Sequence, residues 1–286
     1  MLTAAINISN ALQQNSAWVI ALATVLGLMV GSFLNVVIHR LPKMMEREWH
    51  KHCLELQGKE PVYAPSYTLS TPRSACPICG HKISAWENIP VISYLLLKGR
   101  CHDCKTPISL RYPLIEALTG GLLGLISWKF GYTATTIFAC LLCLCLIVLT
   151  FIDLDTQLLP DNITLPLLWL GLAFNLNGGF ANLKSAVIGA MAGYLMLWSI
   201  HCLFKLIRGK EGMGHGDFKL FAAMGAWFGW QWLPAVILFA STLGVALGMA
   251  MLMLLSKHDK NTLMPFGPFL AIGGMAVLFL WPLTNP

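Results

Sequence analysis

Charge is what this sequence has least of. Asp and Glu number 13 in 286 residues and Lys and Arg 19, so charged residues make up 11 %, where a soluble domain carries about 25 %. That scarcity excludes an ordinary soluble enzyme. With 56 % hydrophobic residues it also excludes a disordered chain. Nine cysteines in a chain of this length do not make a small disulfide scaffold. Mean hydropathy is +0.66. No Lys or Arg precedes the first long apolar run, which therefore lacks the basic flank of a cleavable secretory signal. What remains is an all-α, polytopic membrane protein.

A transmembrane helix needs about 20 mostly apolar residues, or fewer where neighbours shield its ends. Such runs lie near 17–38, 113–128, 134–152, 163–179, 184–204, 217–230, 232–255 and 264–283. The run at 217–230 is short and carries Lys219, so seven spans stand as the alternative to eight. The expected organisation is a first helix at 17–38, a polar loop domain at 39–112 and a membrane core at 113–283. Basic residues orient it. The segments on one side of an eight-span chain are 39–112, 153–162, 205–219 and 256–263. They hold eleven, none, four and two of the nineteen Lys and Arg, with only Lys129 and Lys184 elsewhere. The positive-inside rule makes that side cytoplasmic and the N-terminus external. Basic loops facing anionic membrane lipids account for the net charge of +6 without any nucleic acid.

Four of the cysteines form two close pairs in the polar loop, Cys76-Pro-Ile-Cys79 and Cys101-His-Asp-Cys104. Two Cys-x-x-Cys pairs about 20 residues apart are the pattern of a four-thiolate zinc site. Each pair wraps one face of the ion, and four soft thiolates satisfy tetrahedral Zn²⁺. Disulfides are the alternative, disfavoured in a reducing compartment, and iron–sulfur ligation is another. A closed Cys₄ shell has no open position, so such a zinc is structural. It staples a loop too small and polar for a core of its own. His81 and His102 read as surface or supporting residues. Cys140, Cys143, Cys145 and Cys202 lie in apolar runs as small hydrophobes, and Cys53 stands alone.

With thirteen acids, each can be weighed. Glu46, Glu48, Glu55, Glu60, Glu87 and Asp103 read as solvated loop surface, and Glu211 and Asp259 lie in basic turns. Glu116, Asp153, Asp155, Asp161 and Asp217 sit at the cytoplasmic ends of apolar runs, where an ionisable group is a functional candidate. Asp153 and Asp155 are about 200° apart around a helix and cannot share a face. Asp161, after Leu159-Pro160, reads as a helix N-cap. Asp155 divides between a solvated turn and a supporting role. Asp217 follows Gly212-Met-Gly-His-Gly216, a run that lets backbones approach closely. It fits a flexible loop or small-residue helix packing, and lacks the strand and Gly-Lys-Ser/Thr of a phosphate loop. If Asp153 and Asp217 meet, two carboxylates in a low dielectric cannot both ionise easily. One then acts as base on water while its protonated partner polarises a carbonyl. If they do not meet, they are two separate headgroup-level acids. No Ser-His or Cys-His pair competes, and His201 and His215 have no evident nucleophile beside them.

Several segments together resemble the type IV prepilin peptidases, bifunctional leader peptidases and N-methyltransferases of the Gly-x-Gly-Asp intramembrane aspartyl class. They are Gly31-Ser-Phe-Leu-Asn-Val-Val-Ile-His-Arg-Leu-Pro42, Arg73-Ser-Ala-Cys-Pro-Ile-Cys79, Glu87-Asn-Ile-Pro-Val-Ile-Ser-Tyr94, Cys101 through Glu116, Phe151-Ile-Asp-Leu-Asp155, Leu159-Pro-Asp161 and Gly214-His-Gly-Asp-Phe-Lys219. The resemblance implies a catalytic pair at Asp153 and Asp217 and zinc cysteines at Cys76, Cys79, Cys101 and Cys104. It implies cleavage of a short basic leader from prepilins or pseudopilins at the cytoplasmic face of the bacterial inner membrane. S-adenosylmethionine-dependent methylation of the new N-terminal residue would follow. No Rossmann-type glycine motif locates that co-substrate.

Lys219 either lowers a carboxylate pKa or anchors at headgroups, and Glu116 is a candidate polar partner within the bundle. Both enzyme face and leader are basic, so anionic lipid is the expected meeting ground, with Glu116, Asp155 and Asp161 offsetting the leader's charge. Two other classes compete. A transporter or channel would use Asp153 and Asp217 as proton or cation sites, but its charges belong near mid-membrane. A membrane anchor with a partner-binding zinc loop leaves both aspartates unexplained.

Overall fold

The computed structural model describes residues 16–59, 67–209, 213–254 and 265–282. Glu60, Glu211, Gly212 and the turn carrying Lys257, Asp259 and Lys260 lie outside the described residues. Within them the secondary structure is helical, with no strand, only isolated bridges at Ala75–Lys82 and Arg100–Pro107. In chain order the helices are α1 (Ser16–Leu56), the short α2 (Ile92–Leu96), α3 (Arg111–Phe130), α4 (Ala134–Thr156), α5 (Asp161–Leu176), α6 (Leu183–Arg208), α7 (His215–Phe228), α8 (Leu233–Leu254) and α9 (Gly267–Leu280). Within the described residues each of the eight apolar runs thus carries a helix. Among the described residues four stretches are long and apolar enough to cross a membrane: Ser16–Leu56, Ala134–Thr156, Leu183–Arg208 and Trp230–Met249. α3 carries Arg111, Glu116 and Lys129, and α5, α7 and α9 are short. The chain divides into two compact units at Thr136.

In the first unit α1 packs along α3. Small residues set the spacing: a Cβ on Gly27 would lie 2.8 Å from Gly120 Cα, and one on Gly31 2.9 Å from Glu116 Cα. Glycine at such a seam lets two helix backbones touch where side chains would hold them apart. α1 outruns its expected end near residue 38 and continues to Leu56. Beyond Pro42 its sequence is rich in Met, Glu, Arg, Lys and Leu, all good helix formers, and Lys51 and His52 reach Glu55 at 3.7 and 3.4 Å. Gly58, at φ +68°, lies just past its end.

Two buried polar side chains tie the loop to this helix pair. Arg40 donates to the carbonyls of Thr68 (3.0 Å), Leu69 (3.3 Å) and Pro72 (2.7 Å), while Tyr67 stacks near Arg40 and Arg47. Glu116 accepts the backbone N–H of Val91 at 2.8 Å. Val91 is β-branched yet sits at φ +60°, a conformation that persists only where surrounding contacts impose it.

The second unit is built around α7. From Phe218 to Phe228 every residue of that helix except Lys219 is buried. A helix apolar on all sides needs neighbours on all sides, and α7 packs against α5, α6, α8 and α9. Gly189 of α6 and Gly225 of α7 meet backbone to backbone. At its C-terminal end, orphan carbonyls of the last turn are satisfied from α5: Asn175 Nδ2 donates to Ala226 O (2.7 Å) and Trp227 O (2.9 Å). Trp227 Nε1 donates back to Leu167 O at 2.9 Å.

Arg40 makes three bonds that no shorter side chain can replace. Arg40→Ala should lower the stability of the first unit by about 1–3 kcal/mol, the cost of losing three partly buried, charge-assisted hydrogen bonds. Thermal unfolding of the purified chain in detergent measures it, and an unchanged midpoint would show that the clamp is not structural.

Candidate active site and metal centre

Asp153 lies in the last turn of α4 and Asp217 in the first turn of α7. Both are buried, with 4 % and 7 % of their surface exposed, and both belong to the second unit. The two aspartates that the sequence singles out are thus both buried at helix ends, Asp153 at the close of α4 and Asp217 at the opening of α7. Asp155, on the opposite face of α4, is exposed.

Gly267, the first residue of α9, donates its N–H to Asp153 Oδ2 at 3.0 Å. This is a first-turn amide that the helix itself cannot satisfy, and a carboxylate there also meets the positive end of the helix dipole. A Cβ on residue 267 would stand 2.5 Å from Asp153 Oδ2, so glycine is what allows the approach. Leu159 contacts both halves of the site, because a Cβ on Gly267 would meet its Cδ1 at 3.2 Å and one on Gly216 its Cβ at 2.6 Å. Gly267 escaped sequence reasoning. Its only local signal was Phe266-Gly-Pro268 opening an apolar run.

Around the pair, Lys219 Nζ bonds both carboxylate oxygens of Asp161 at 2.7 Å. Asp161 is not the N-cap of α5, as its position after Leu159-Pro160 suggested. Pro160 occupies the cap position and Asp161 is the first helical residue, where the dipole suits a carboxylate and Lys219 takes the side chain. His201 is buried with Nδ1 lacking a hydrogen-bond partner among the described residues. Its ring lies 5.6 Å from that of His215 and 5.5 Å from Phe218. Glu116 belongs to the first unit, where it holds Val91.

The four paired cysteines also converge. Their sulfurs all lie within 4.8 Å of one another, with Cys76–Cys104 at 3.7 Å and Cys79–Cys101 at 3.9 Å. A tetrahedron with Zn–S bonds of about 2.3 Å has edges of about 3.8 Å, so the cluster has the dimensions to hold a metal ion. Each pair sits in a tight turn of the same design. Cys76 N–H bonds His81 O and Gly80 N–H bonds Cys76 O; in the second turn Cys101 N–H bonds Thr106 O and Lys105 N–H bonds Cys101 O. Beside them Ser84 and Glu87 form a capping box, with Ser84 N–H on Glu87 Oε2 (2.7 Å) and Glu87 N–H on Ser84 Oγ (3.4 Å). The Ser84 bonds, with His81, hold Glu87 down to about 2. Glu87, with Asp103, raises the pKa of His81.

The chain thus carries two buried aspartates in one helical unit and, in the other, a four-thiolate cluster with the dimensions to hold a metal ion. Residues 25–130 match the bacterial peptidase A24 N-terminal domain and residues 140–249 the type IV leader peptidase family. A prepilin leader peptidase/N-methyltransferase of Aeromonas hydrophila is 54 % identical over 93 % of this chain and 94 % of its own. Its counterpart in Pseudomonas aeruginosa is 54 % identical over 90 % and 88 %, and that of Neisseria gonorrhoeae 48 % over 95 % and 97 %. No solved structure matches. The chain belongs to the type IV leader peptidase family.

The Lys219–Asp161 pair is solvent-facing, with 29 % and 52 % of the side chains exposed. Lys219→Met should therefore cost less than about 1 kcal/mol of stability. A large drop in the detergent melting midpoint would mean that the pair braces α5 against α7 more firmly than an exposed ion pair can.

Proposed function

We propose that the chain is an aspartic endopeptidase of the bacterial inner membrane. It removes the leader from prepilins or pseudopilins on the cytoplasmic side and then N-methylates the residue it exposes. The observation that carries this reading is the buried Asp153–Asp217 pair in a chain more than half identical, over nearly its whole length, to curated prepilin leader peptidase/N-methyltransferases.

Asp153 and Asp217 form the catalytic dyad. The ionised carboxylate takes a proton from water, whose oxygen attacks the scissile carbonyl. The protonated partner donates to the carbonyl oxygen, and the tetrahedral intermediate collapses as the amine leaves with a proton. Gly267 N–H positions Asp153 for this step. S-adenosylmethionine is the methyl donor, a second substrate consumed at the new amino terminus.

Cys76, Cys79, Cys101 and Cys104 hold a structural Zn²⁺, which supplies loop rigidity. The sulfur spacing and the soft donor set both support zinc. α1 and α3 through α9 make eight spans, with an external N-terminus and the 39–112 loop in the cytoplasm. α7, 14 residues long, spans about 21 Å, short of a hydrocarbon core of about 30 Å, and is the span most shielded by neighbouring helices. The basic loops rest against anionic headgroups, where leader and enzyme, both positive, are brought together.

Cleavage of a purified prepilin tests the dyad. Asp153→Asn and Asp217→Asn should each lower the rate by at least about 10²–10⁴-fold, while Asp155→Asn, on the exposed face, cleaves normally. Cleavage by both single variants, folded and metal-loaded, would overturn the assignment. Loss of activity in Asp155→Asn alone would move the site to the other face of α4.

A further inference from the structure

The two cysteine turns carry a second set of metal donors that the four thiolates do not use. His81 follows Cys79 by two residues, and His102 and Asp103 lie between Cys101 and Cys104. His81 Nδ1 is 2.8 Å from Asp103 Oδ2 and His102 Nδ1 is 2.9 Å from Asp103 Oδ1. The imidazole rings stack with centroids 5.9 Å apart and planes inclined by 26°. One nitrogen from each ring and one carboxylate oxygen all fall within 4.8 Å of one another. Tetrahedral ligation at about 2.0–2.1 Å places donors about 3.3 Å apart, a spacing inside that range.

A further observation concerns the remaining nitrogen of His81. Its Nε2 lies 3.1 and 3.2 Å from the two oxygens of Glu87, whose carboxylate is itself fixed by the Ser84 capping box. A metal-binding histidine almost always gives its second ring N–H to a carboxylate, a backbone carbonyl or water, which sets its tautomer and ring orientation. Glu87, His81 and the space beside Asp103 reproduce that order. Imidazole with carboxylate suits zinc, nickel or copper rather than magnesium or calcium. Three protein donors also leave a coordination position open to water, unlike the closed thiolate shell. The site faces solvent, since His102 and Asp103 are 63 % and 50 % exposed.

We infer that His81, His102 and Asp103 form a second, open site for a divalent transition metal ion on the surface of the Cys₄ cluster, with Glu87 as the positioning residue behind His81. The ion links the two turns, because His81 belongs to the first and His102 and Asp103 to the second. This site stands independently of the peptidase reading. Its competitor is a metal-free brace, in which the same four side chains join the turns through hydrogen bonds alone.

Zinc binding by the purified, tag-free chain in detergent separates the two, read as bound metal per chain after removal of excess ion. Wild type should hold two equivalents at saturating free zinc, and the double variant His102→Ala/Asp103→Asn one. Glu87→Gln should keep both but weaken the second by about 10–100-fold, as expected for loss of an outer carboxylate. Cobalt substitution shows that the thiolate site persists in each variant, through an unchanged sulfur-to-cobalt charge-transfer band. A single equivalent in wild type would leave the brace as the whole story. A second equivalent retained by the double variant would place that ion elsewhere, and either result overturns the site.

Discussion

The second unit depends on burying one helix from Phe218 to Phe228 on every side but that of Lys219. α7 has no polar face to turn outward, so every polar group on it must find a partner in protein. The exceptions to its apolar sequence fall at its ends. Asp217 and Lys219 lie in the first turns, while the unpaired carbonyls of Ala226 and Trp227 meet Asn175 of α5. Lys219 reaches Asp161 at the start of α5, so the same neighbour holds both ends of α7. An enclosed helix tied at both ends gives Asp217 a fixed backbone. A carboxylate that must act on water needs that fixity more than an exposed one does.

In a chain so poor in charge, three buried ionisable side chains among the described residues are each held by bonds to backbone. Arg40 gathers three carbonyls, Glu116 takes the Val91 amide and Asp153 takes the Gly267 amide. The pattern has a physical reason. A buried ion pair desolvates two charges at once, whereas a charge satisfied by amide dipoles desolvates one. The first unit uses such bonds to attach an irregular loop to a helix pair. The second uses one to join the end of α4 to the start of α9.

Much of this was legible in the sequence, and the boundary is instructive. Eight apolar runs became helices because length and hydropathy are local properties. The cysteine turns were readable because Cys-x-x-Cys encodes its own geometry. The opposite faces of Asp153 and Asp155 followed from helical period alone. What local pattern could not carry was pairing at long range. Lys219 finds Asp161 across 58 residues and Gly267 finds Asp153 across 114, and neither partner is marked by its neighbours in sequence. Asp161 looked like a cap because carboxylates favour both the cap and the first turn, and a lysine from elsewhere favoured the latter. The length of α1 was missed for another reason. Its second half is a polar helix, stabilised by propensity and by pairs one turn apart, and hydropathy does not register it.

The position of the carboxylates along their helices bears on what they can act upon. Asp153 ends α4 and Asp217 begins α7, whereas a transporter's acids sit in broken helices at mid-membrane. A peptide bond can be hydrolysed only when its carbonyl is free of the helix that would otherwise use it. An extended segment with free backbone groups is not tolerated in hydrocarbon. On the proposed reading, a dyad at helix ends meets both conditions. An apolar substrate helix stays in the bilayer with its hydrogen bonds intact, and the unwound stretch beside it takes its partners from the enzyme and from interfacial water. On the proposed reading, a leader joined to a hydrophobic helix is the substrate that such a placement selects.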